Sequence, residues 1–309
     1  MIRIGFYGNA SDIADWEASL ATRLPDFEIH ELLSEAGAAS DVALVWAPPP
    51  HAFAKCADLR GIIMQGQGVD HMMRDSTVPR NIPLVRLIDP DMASALSHWA
   101  ILNALDFWRD GAAYRAQQVA RHWHSLPQRP AAGARVGILG VGAIGTVIAR
   151  RFAALGFTVR GFANSPKQID GVEVFAGSGA LDAFAEGLDI VVSVLPLTPQ
   201  TTGIMDAAFF ERLAPGAFII NGGRGPQIVD EDLLAALDTG RLGGAALDVF
   251  AVEPLPEEHP FWTHPKVRVW PHVAAQTNAV SAADQVARAI TAMMAGEEPA
   301  NRVDWSRGY

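Results

Sequence analysis

The sequence of 309 residues contains a single cysteine, Cys56, and this scarcity excludes two kinds of stabilisation. One thiol cannot form a disulfide within the chain, and a zinc site built on cysteines needs more than one of them. Sparse cysteine use is typical of proteins from a reducing compartment, so the sequence predicts a cytoplasmic location.

Long hydrophobic runs and an excess of positive charge are also missing. No apolar run approaches the length of about 18 residues that a membrane span needs, so no membrane partner is expected. The chain carries 24 Lys+Arg against 34 Asp+Glu, a formal net charge of −10, which argues against nucleic acid as a partner. Hydrophobic residues make up 50% and charged residues 19%, as in a compact folded protein. At roughly 150 residues per domain, the length predicts two domains.

Short apolar runs alternate with helical patterns along the whole chain, which indicates an α/β fold with doubly wound, largely parallel sheets. The predicted strands are 2–7, 42–47, 61–65, 84–88, 135–139, 158–162, 190–195, 217–221, 244–249 and 267–269, and the predicted helices include 11–24, 143–155 and 277–295. A longer helix is predicted from Asp91 to about Trp123. It carries large aromatic residues that fit either a buried core or a subunit interface, and the pattern leaves both open.

A glycine-rich segment with the spacing G-x-G-x-x-G stands between a predicted strand and a predicted helix, from Gly140 to Gly145. Gly140 permits a tight turn, Gly142 lets the backbone approach a pyrophosphate, and Gly145 lets the helix pack closely on the strand. The start of the helix, at Ala143 and Ile144, supplies N–H groups and a positive partial charge to an anion. The strand and helix context favours a dinucleotide site over a turn that binds nothing.

The residues after the next strand favour NADP(H) over NAD(H), which remains possible. The acid that commonly binds the ribose is expected about 20 residues after the glycines, where this chain has Ala163. The first carboxylate beyond that position is Asp170, and Asn164, Ser165 and Lys167 precede it. Because a hydroxyl and a cation can bind a 2′-phosphate that an acid would repel, these three residues are predicted to contact the cofactor.

An arginine, a glutamate and a histidine follow three predicted strands of the second half: Arg224, Glu253 and His272. Ligands of an open α/β sheet bind outside the carboxyl ends of its strands. Arg224 can bind a substrate carboxylate, and His272 can donate a proton to an oxygen as a hydride reaches the neighbouring carbon. Glu253 can orient the imidazole and favour its protonated form. Asp248 fits either a contact with the nicotinamide amide or the cap of a turn.

Motifs for other chemistries are absent from the sequence. There is no P-loop for phosphoryl transfer and no G-x-S-x-G elbow for a serine nucleophile. His122 and His124 are two positions apart, and on a helix that spacing directs the rings away from each other, so no metal site is predicted.

Five ordered segments together resemble the D-isomer-specific 2-hydroxyacid dehydrogenases, over essentially the whole chain. They are 137–145 (GILGVGAIG), 195–201 (LPLTPQT), 221–225 (NGGRG), 246–256 (ALDVFAVEPLP) and 264–275 (HPKVRVWPHVAA). The segments 43–49 (ALVWAPP) and 307–309 (RGY) resemble the glyoxylate/hydroxypyruvate reductase A subgroup in particular.

The resemblance implies an architecture and an assembly. A flavodoxin-like substrate domain is expected over 1–97 and 274–309, with a Rossmann dinucleotide-binding domain inserted at 98–273. A homodimer built on the long helix near 92–122 is expected as well.

The resemblance also implies an activity, the reduction of small 2-oxo acids such as glyoxylate and hydroxypyruvate by NADPH. It gives Arg224, Glu253 and His272 the catalytic roles, with Arg224 and His272 also contacting the substrate. The further contacts that it implies are Leu195, Pro196 and Thr201 for the cofactor and Trp46, Gln67 and Gly68 for the substrate, whose carboxylate binds the backbone N–H groups of 66–70.

Two departures from the subgroup leave alternatives open. Asn164 stands where members often have an arginine for the 2′-phosphate, and Gln67 replaces a small residue. A dinucleotide-sensing binding protein with this fold, or a dehydrogenase of a larger 2-hydroxy acid, are the alternative functions.

Overall fold

The computed structural model describes residues 1–306 and divides the chain into two compact units. The first unit comprises residues 1–92 and the chain from Gln276 onward, and the second comprises residues 93–275. The predicted boundaries, 97/98 and 273/274, lie within a few residues of this division. The first division falls inside a continuous helix, where the sequence pattern does not change. The motif at 307–309 lies outside the described residues.

Strands and helices alternate along both units. The strands are β1 (Ile2–Tyr7), β2 (Phe27–Glu31), β3 (Val42–Val45), β4 (Gly61–Met64), β5 (Leu84–Val85), β6 (Arg135–Leu139), β7 (Thr158–Ala163), β8 (Val172–Ala176), β9 (Ile190–Ser193), β10 (Ala217–Asn221), β11 (Leu242–Leu247) and β12 (Val267–Val269). The helices are α1 (Ile13–Leu20), α2 (Asp70–Arg74), α3 (Pro90–Trp108), α4 (Gly111–Val119), α5 (Ala143–Ala154), α6 (Leu181–Ala185), α7 (Ala207–Arg212), α8 (Asp230–Asp238) and α9 (Ala279–Ala295). None of the helices within residues 1–306 is long and apolar enough to cross a membrane.

The first unit contains a parallel sheet with the strand order β2-β1-β3-β4-β5, which is the flavodoxin order. Its inner strands β3 and β4 are buried along their whole length, as expected for parallel strands that are covered on both faces. Helix α9 turns a stripe of small and apolar side chains, including Ala282, Val286 and Ile290, into the core that β1, β3 and β4 share. The predicted flavodoxin-like fold is therefore confirmed.

The second unit contains a parallel sheet with the order β12-β11-β10-β9-β6-β7-β8. Counted from β6, this is the Rossmann order 3-2-1-4-5-6 with one more strand, β12, at the edge beside β11. The order reverses between β6 and β9, and ligands of such sheets bind at that reversal. The predicted Rossmann fold is confirmed.

Two edge strands, β2 and β8, were not predicted. In β2 only Ile29 is buried, and in β8 no residue is fully buried. Strands with one partner and much exposed surface tolerate charged residues, so neither FEIHE nor VEVFA shows the apolar run that marks the inner strands.

The predicted continuous helix from Asp91 to about Trp123 is wrong. Helix α3 ends at Trp108, and Asp110 adopts the left-handed conformation, with φ of 56°, before α4 begins. A left-handed residue cannot continue a right-handed helix, so the chain changes direction there. Helix α4 ends at Val119.

The large apolar residues of this stretch have two different environments. Trp99 and Trp108 are buried in the core of the second unit, whereas Leu102 is 56% exposed and Trp123 is fully exposed. The ring centroids of His122 and His124 lie 5.7 Å apart, so the expectation that the rings point away from each other is wrong. Both histidines lie beyond the end of α4, where helical spacing no longer applies.

Candidate active site

The glycine segment forms the turn from β6 into α5. Gly140 has φ of 98°, in the region that glycine adopts without strain. A side chain at Gly145 would overlap the carbonyl oxygen of Gly140, whereas a Cβ at Gly142 would meet nothing within 4 Å. The backbone is therefore open at Gly142, directly beside the first N–H groups of α5 at Ala143 and Ile144, which have no partner within the helix itself. This cradle fits the pyrophosphate of a dinucleotide.

A cation lies next to this cradle. Asn164, Ser165 and Lys167 follow β7 and are exposed. The ammonium group of Lys167 donates a hydrogen bond to the carbonyl oxygen of Val141, at 2.7 Å, which holds it against the glycine turn. The three residues predicted to contact a 2′-phosphate therefore share the edge of the sheet at which α5 begins.

The segment after β9 is a closed turn. The hydroxyl of Thr201 donates to the carbonyl oxygen of Pro196, at 2.7 Å, and accepts the N–H of Thr198, at 2.8 Å. Thr201 thus holds the shape of the turn, while its predicted contact with the cofactor stays a prediction. The carbonyl oxygens of Leu195 and Pro196 both accept hydrogen bonds from the side chain of Gln227.

Arg224 lies three residues beyond the end of β10, in a loop shaped by two buried amide side chains. Asn221 accepts the N–H of Gly223 and donates to the carbonyl oxygen of Arg224, both at 3.1 Å. Gln227 accepts the N–H of Arg224 at 3.2 Å. The guanidinium itself donates to the carbonyl oxygen of Gly223 at 2.8 Å. The backbone of Arg224 is therefore fixed from both sides.

Glu253 and His272 form a direct pair, with 2.8 Å between Oε2 of the glutamate and Nδ1 of the imidazole. The other carboxylate oxygen accepts the N–H of Phe250 at 2.9 Å. Burial pushes the pKa of Glu253 upward, but the hydrogen bonds from His272 and Phe250 and the charges of His272 and Arg224 outweigh it. The pKa of Glu253 consequently lies below its ordinary value, and the group is a carboxylate at neutral pH.

Asp248 holds the segment that carries His272. Its carboxylate accepts the N–H groups of Val273, at 2.8 Å, and Ala274, at 3.0 Å, while its carbonyl oxygen accepts the N–H of His272 at 2.9 Å. His272 has φ of 55°, and these bonds stabilise that uncommon conformation. Burial raises the pKa of Asp248, against the lowering effect of the two backbone N–H groups. These contacts fit the role of Asp248 as the cap of a turn. Its contact with the nicotinamide amide stays a prediction.

The predicted substrate residues Trp46, Gln67 and Gly68 belong to the first unit. Trp46 follows β3, is 37% exposed and packs its ring edge-on against His71, with 5.7 Å between the ring centroids. A side chain at Gly66 would come within 2.6 Å of the Trp46 ring, so the indole lies directly on the loop after β4. Gln67 and Gly68 are half-exposed between β4 and α2.

Known proteins resemble this chain over its full length. The family model described as D-isomer specific 2-hydroxyacid dehydrogenase, NAD binding domain, matches residues 101–274. The glyoxylate/hydroxypyruvate reductase A of Serratia proteamaculans (strain 568) is 40% identical over 313 residues, covering 100% of both chains. The chain belongs to the D-isomer-specific 2-hydroxyacid dehydrogenase family.

Solved structures of this dehydrogenase family extend the likeness to three dimensions. A family member from Xanthobacter autotrophicus Py2, crystallised with NADPH and MES, has a TM-score of 0.93 and 37% identity, covering 100% of this chain and 99% of that one. The NADPH-dependent glyoxylate/hydroxypyruvate reductase of Sinorhizobium meliloti, crystallised with NADP and sulfate, has a TM-score of 0.92 and 36% identity, covering 100% of both chains. The predicted family is thereby confirmed.

Sequence reasoning missed the polar side chains that support the dehydrogenase motifs. Ser193, Asn221 and Gln227 are completely buried, and their side chains bind one another or the loops after β9 and β10. Their signal in the sequence is their position, because each ends a strand or lies within three residues of Arg224. Polar residues at strand ends are common, so that signal did not separate them from ordinary loop residues.

Replacing Asp248 with asparagine tests its role in holding the segment after His272. An amide can accept only at its oxygen, so one of the two backbone N–H groups loses its acceptor. We expect amide hydrogen exchange at Val273 and Ala274 to rise roughly tenfold or more, the equivalent of one hydrogen bond to a charged group. Exchange followed by mass spectrometry measures this.

The matched control is Asp232→Asn, because the carboxylate of Asp232 also accepts a backbone N–H, that of Ala207, at 2.9 Å. Unchanged exchange at Val273 and Ala274 in the Asp248 variant would contradict the assignment.

Proposed function

We propose that this dehydrogenase reduces small 2-oxo acids to 2-hydroxy acids with NADPH, and that glyoxylate and hydroxypyruvate are its substrates. The observation that carries the proposal is the 2.8 Å pair of Glu253 and His272, within reach of the Arg224 charge. The 40% identity to a glyoxylate/hydroxypyruvate reductase A over the full length supports the substrate class.

Three side chains divide the chemistry between them. Bound NADPH would supply the hydride that adds to the carbonyl carbon of the substrate. Arg224 binds the substrate carboxylate and polarises the neighbouring carbonyl by charge-assisted hydrogen bonds. His272 donates a proton from Nε2 to the carbonyl oxygen, which becomes the hydroxyl of glycolate or D-glycerate. Glu253, bound to Nδ1, stabilises the imidazolium before that transfer.

The cofactor preference follows from the residues around the glycine turn. No carboxylate stands at the position of Ala163, and Lys167 is held beside the turn with Asn164 and Ser165 close to it in sequence. NADP(H) is therefore preferred, and NAD(H) stays possible. The NADPH and NADP bound in the two related structures support this preference.

The remaining predicted contacts complete the proposal. Leu195, Pro196 and Thr201 contact the cofactor, and Trp46, Gln67 and Gly68 contact the substrate. The protein acts in the cytoplasm as a homodimer, and the exposed apolar side chains of Leu102 and Trp123 supply surface for that association.

The decisive experiment is a steady-state assay of the purified protein with NADPH or NADH and with glyoxylate, hydroxypyruvate or pyruvate. We expect rapid oxidation of NADPH with glyoxylate or hydroxypyruvate, and slower oxidation of NADH. Tight dinucleotide binding without turnover of any pair would contradict the proposal and would favour a sensor or a larger substrate.

Arg224→Ala tests the carboxylate contact. We expect kcat/KM for glyoxylate to fall at least about a hundredfold, since the guanidinium supplies both binding and polarisation. Arg212→Ala is the matched control, because Arg212 pairs with the exposed Asp182 at the surface. Equal kinetics of the Arg224 variant and the wild type would refute the role.

Glu253→Gln tests the stabilisation of the protonated imidazole. Since the pKa of Glu253 is lowered, the wild-type carboxylate is charged throughout the neutral range. The amide removes that charge, so the loss of reduction rate with rising pH should begin at lower pH, and kcat at neutral pH should fall roughly tenfold. A pH–rate profile that coincides with the wild type would leave Glu253 a structural role only.

A further inference from the structure

Gln227 is a buried hub between two loops of the second unit. Its side chain has no exposed surface. Its Oε1 accepts the hydroxyl of Ser193 at 3.0 Å and the N–H of Arg224 at 3.2 Å. Its Nε2 donates to the carbonyl oxygens of Leu195, at 2.8 Å, and Pro196, at 3.3 Å. All four hydrogen-bonding positions of the amide are thus used.

The surroundings determine which way the amide faces. In the reversed amide, the NH₂ group would face the N–H of Arg224, donor against donor, and the oxygen would face the carbonyl oxygens of Leu195 and Pro196, acceptor against acceptor. Neither a carboxylate nor an apolar side chain of the same length can make the same set of bonds. Only glutamine, among side chains of this length, can therefore make all four hydrogen bonds at this position.

Gly223 shows how closely the loop before Arg224 approaches this hub. A Cβ at Gly223 would come within 2.6 Å of Oε1 of Gln227 and within 3.1 Å of the carbonyl oxygen of Leu195. The glycine lets the loop after β10 lie directly against both the glutamine and the segment after β9.

We propose that Gln227 is a positioning residue that fixes the backbone of Arg224 against the Leu195–Pro196 segment. One side chain then determines the positions of two parts of the site. They are the guanidinium that binds the substrate carboxylate and the loop that contacts the cofactor. The inference rests on the proposed function, because it takes the roles of Arg224 and of Leu195–Pro196 from there. Misplacement of a binding group by a fraction of an ångström is enough to slow a reaction markedly.

Two variants of the full-length protein distinguish the contact of Gln227 with Arg224 from its contacts with Leu195 and Pro196. Gln227→Met removes all four hydrogen bonds, so we expect kcat/KM for glyoxylate to fall roughly tenfold and the Kd of NADPH, measured by calorimetry without substrate, to rise roughly fivefold.

Gln227→Glu keeps the acceptor for Ser193 and Arg224 but loses both donors when ionised. Its effect should fall mainly on the Kd of NADPH, and lowering the pH should bring that Kd back toward the wild type, because the neutral acid regains one donor.

The matched control is Gln285→Met. In the wild type, the Gln285 side chain bonds both backbone groups of Ile88, at 2.7 and 3.1 Å, in the first unit. Loss of the Gln285 amide removes the same kind of hydrogen bond away from the loops that Gln227 joins. It should change neither kcat/KM for glyoxylate nor the Kd of NADPH by more than about twofold. Thermal unfolding checks that each variant is folded, and if Gln227→Met does not fold, Gln227→Glu alone carries the test through the pH dependence of its NADPH Kd.

A double variant distinguishes positioning from a separate contribution. If Gln227 acts on the substrate through Arg224, adding Gln227→Met to Arg224→Ala should lower kcat/KM for glyoxylate, measured at saturating NADPH, by less than about twofold further. A full additional tenfold loss, or a folded Gln227→Met variant with wild-type kcat/KM and NADPH Kd, would overturn the inference. Absence of glyoxylate turnover in the wild type would refute the proposed function instead, and the NADPH Kd of the variants would still test the hub.

Discussion

Parallel pairing of β10, β11 and β12 is the constraint on which the candidate site depends. Neighbouring parallel strands end at the same edge of the sheet, so residues that follow them meet there although they are far apart in sequence. Arg224, Glu253 and His272 each follow one of these strands. The same edge holds the start of α5 after β6, where the strand order reverses. The parallel sheet alone therefore brings the glycine turn, Arg224, Glu253 and His272 to one edge.

Side chains that bind backbone groups then turn this convergence into a defined geometry. Asp248 holds the backbone around His272, and Asn221 and Gln227 hold the loop that carries Arg224. Loops at strand ends have few backbone partners of their own, so buried amides and carboxylates supply them. The proposed catalytic side chains are partly exposed, and the buried side chains beside them hold the backbone from which they project.

Much of the arrangement was predictable because its signals are local. The inner strands are apolar runs, and the glycine turn has a spacing that follows from sterics: a side chain at Gly145 overlaps Gly140. The three proposed catalytic residues stand out in the sequence because each lies in a loop that follows a predicted strand. Edge strands β2 and β8 were missed since their exposed faces carry polar residues. The helix break was missed because its turn signal, the pair Asp110-Gly111, stands within a longer helical pattern. The role of Gln227 depends on four contacts with two stretches of chain, 193–196 and Arg224, which no single stretch of sequence reveals.

The proposed mechanism requires His272 to deliver the proton as hydride reaches the substrate carbon. The most direct measurement is a single-turnover experiment with the His272→Gln variant and the wild type, each loaded with NADPH and mixed with glyoxylate. We expect the variant to bind NADPH with wild-type affinity and its hydride-transfer rate to fall about a thousandfold, because a general acid has been removed. Hydride transfer at the wild-type rate in that variant would show that His272 is not the proton donor.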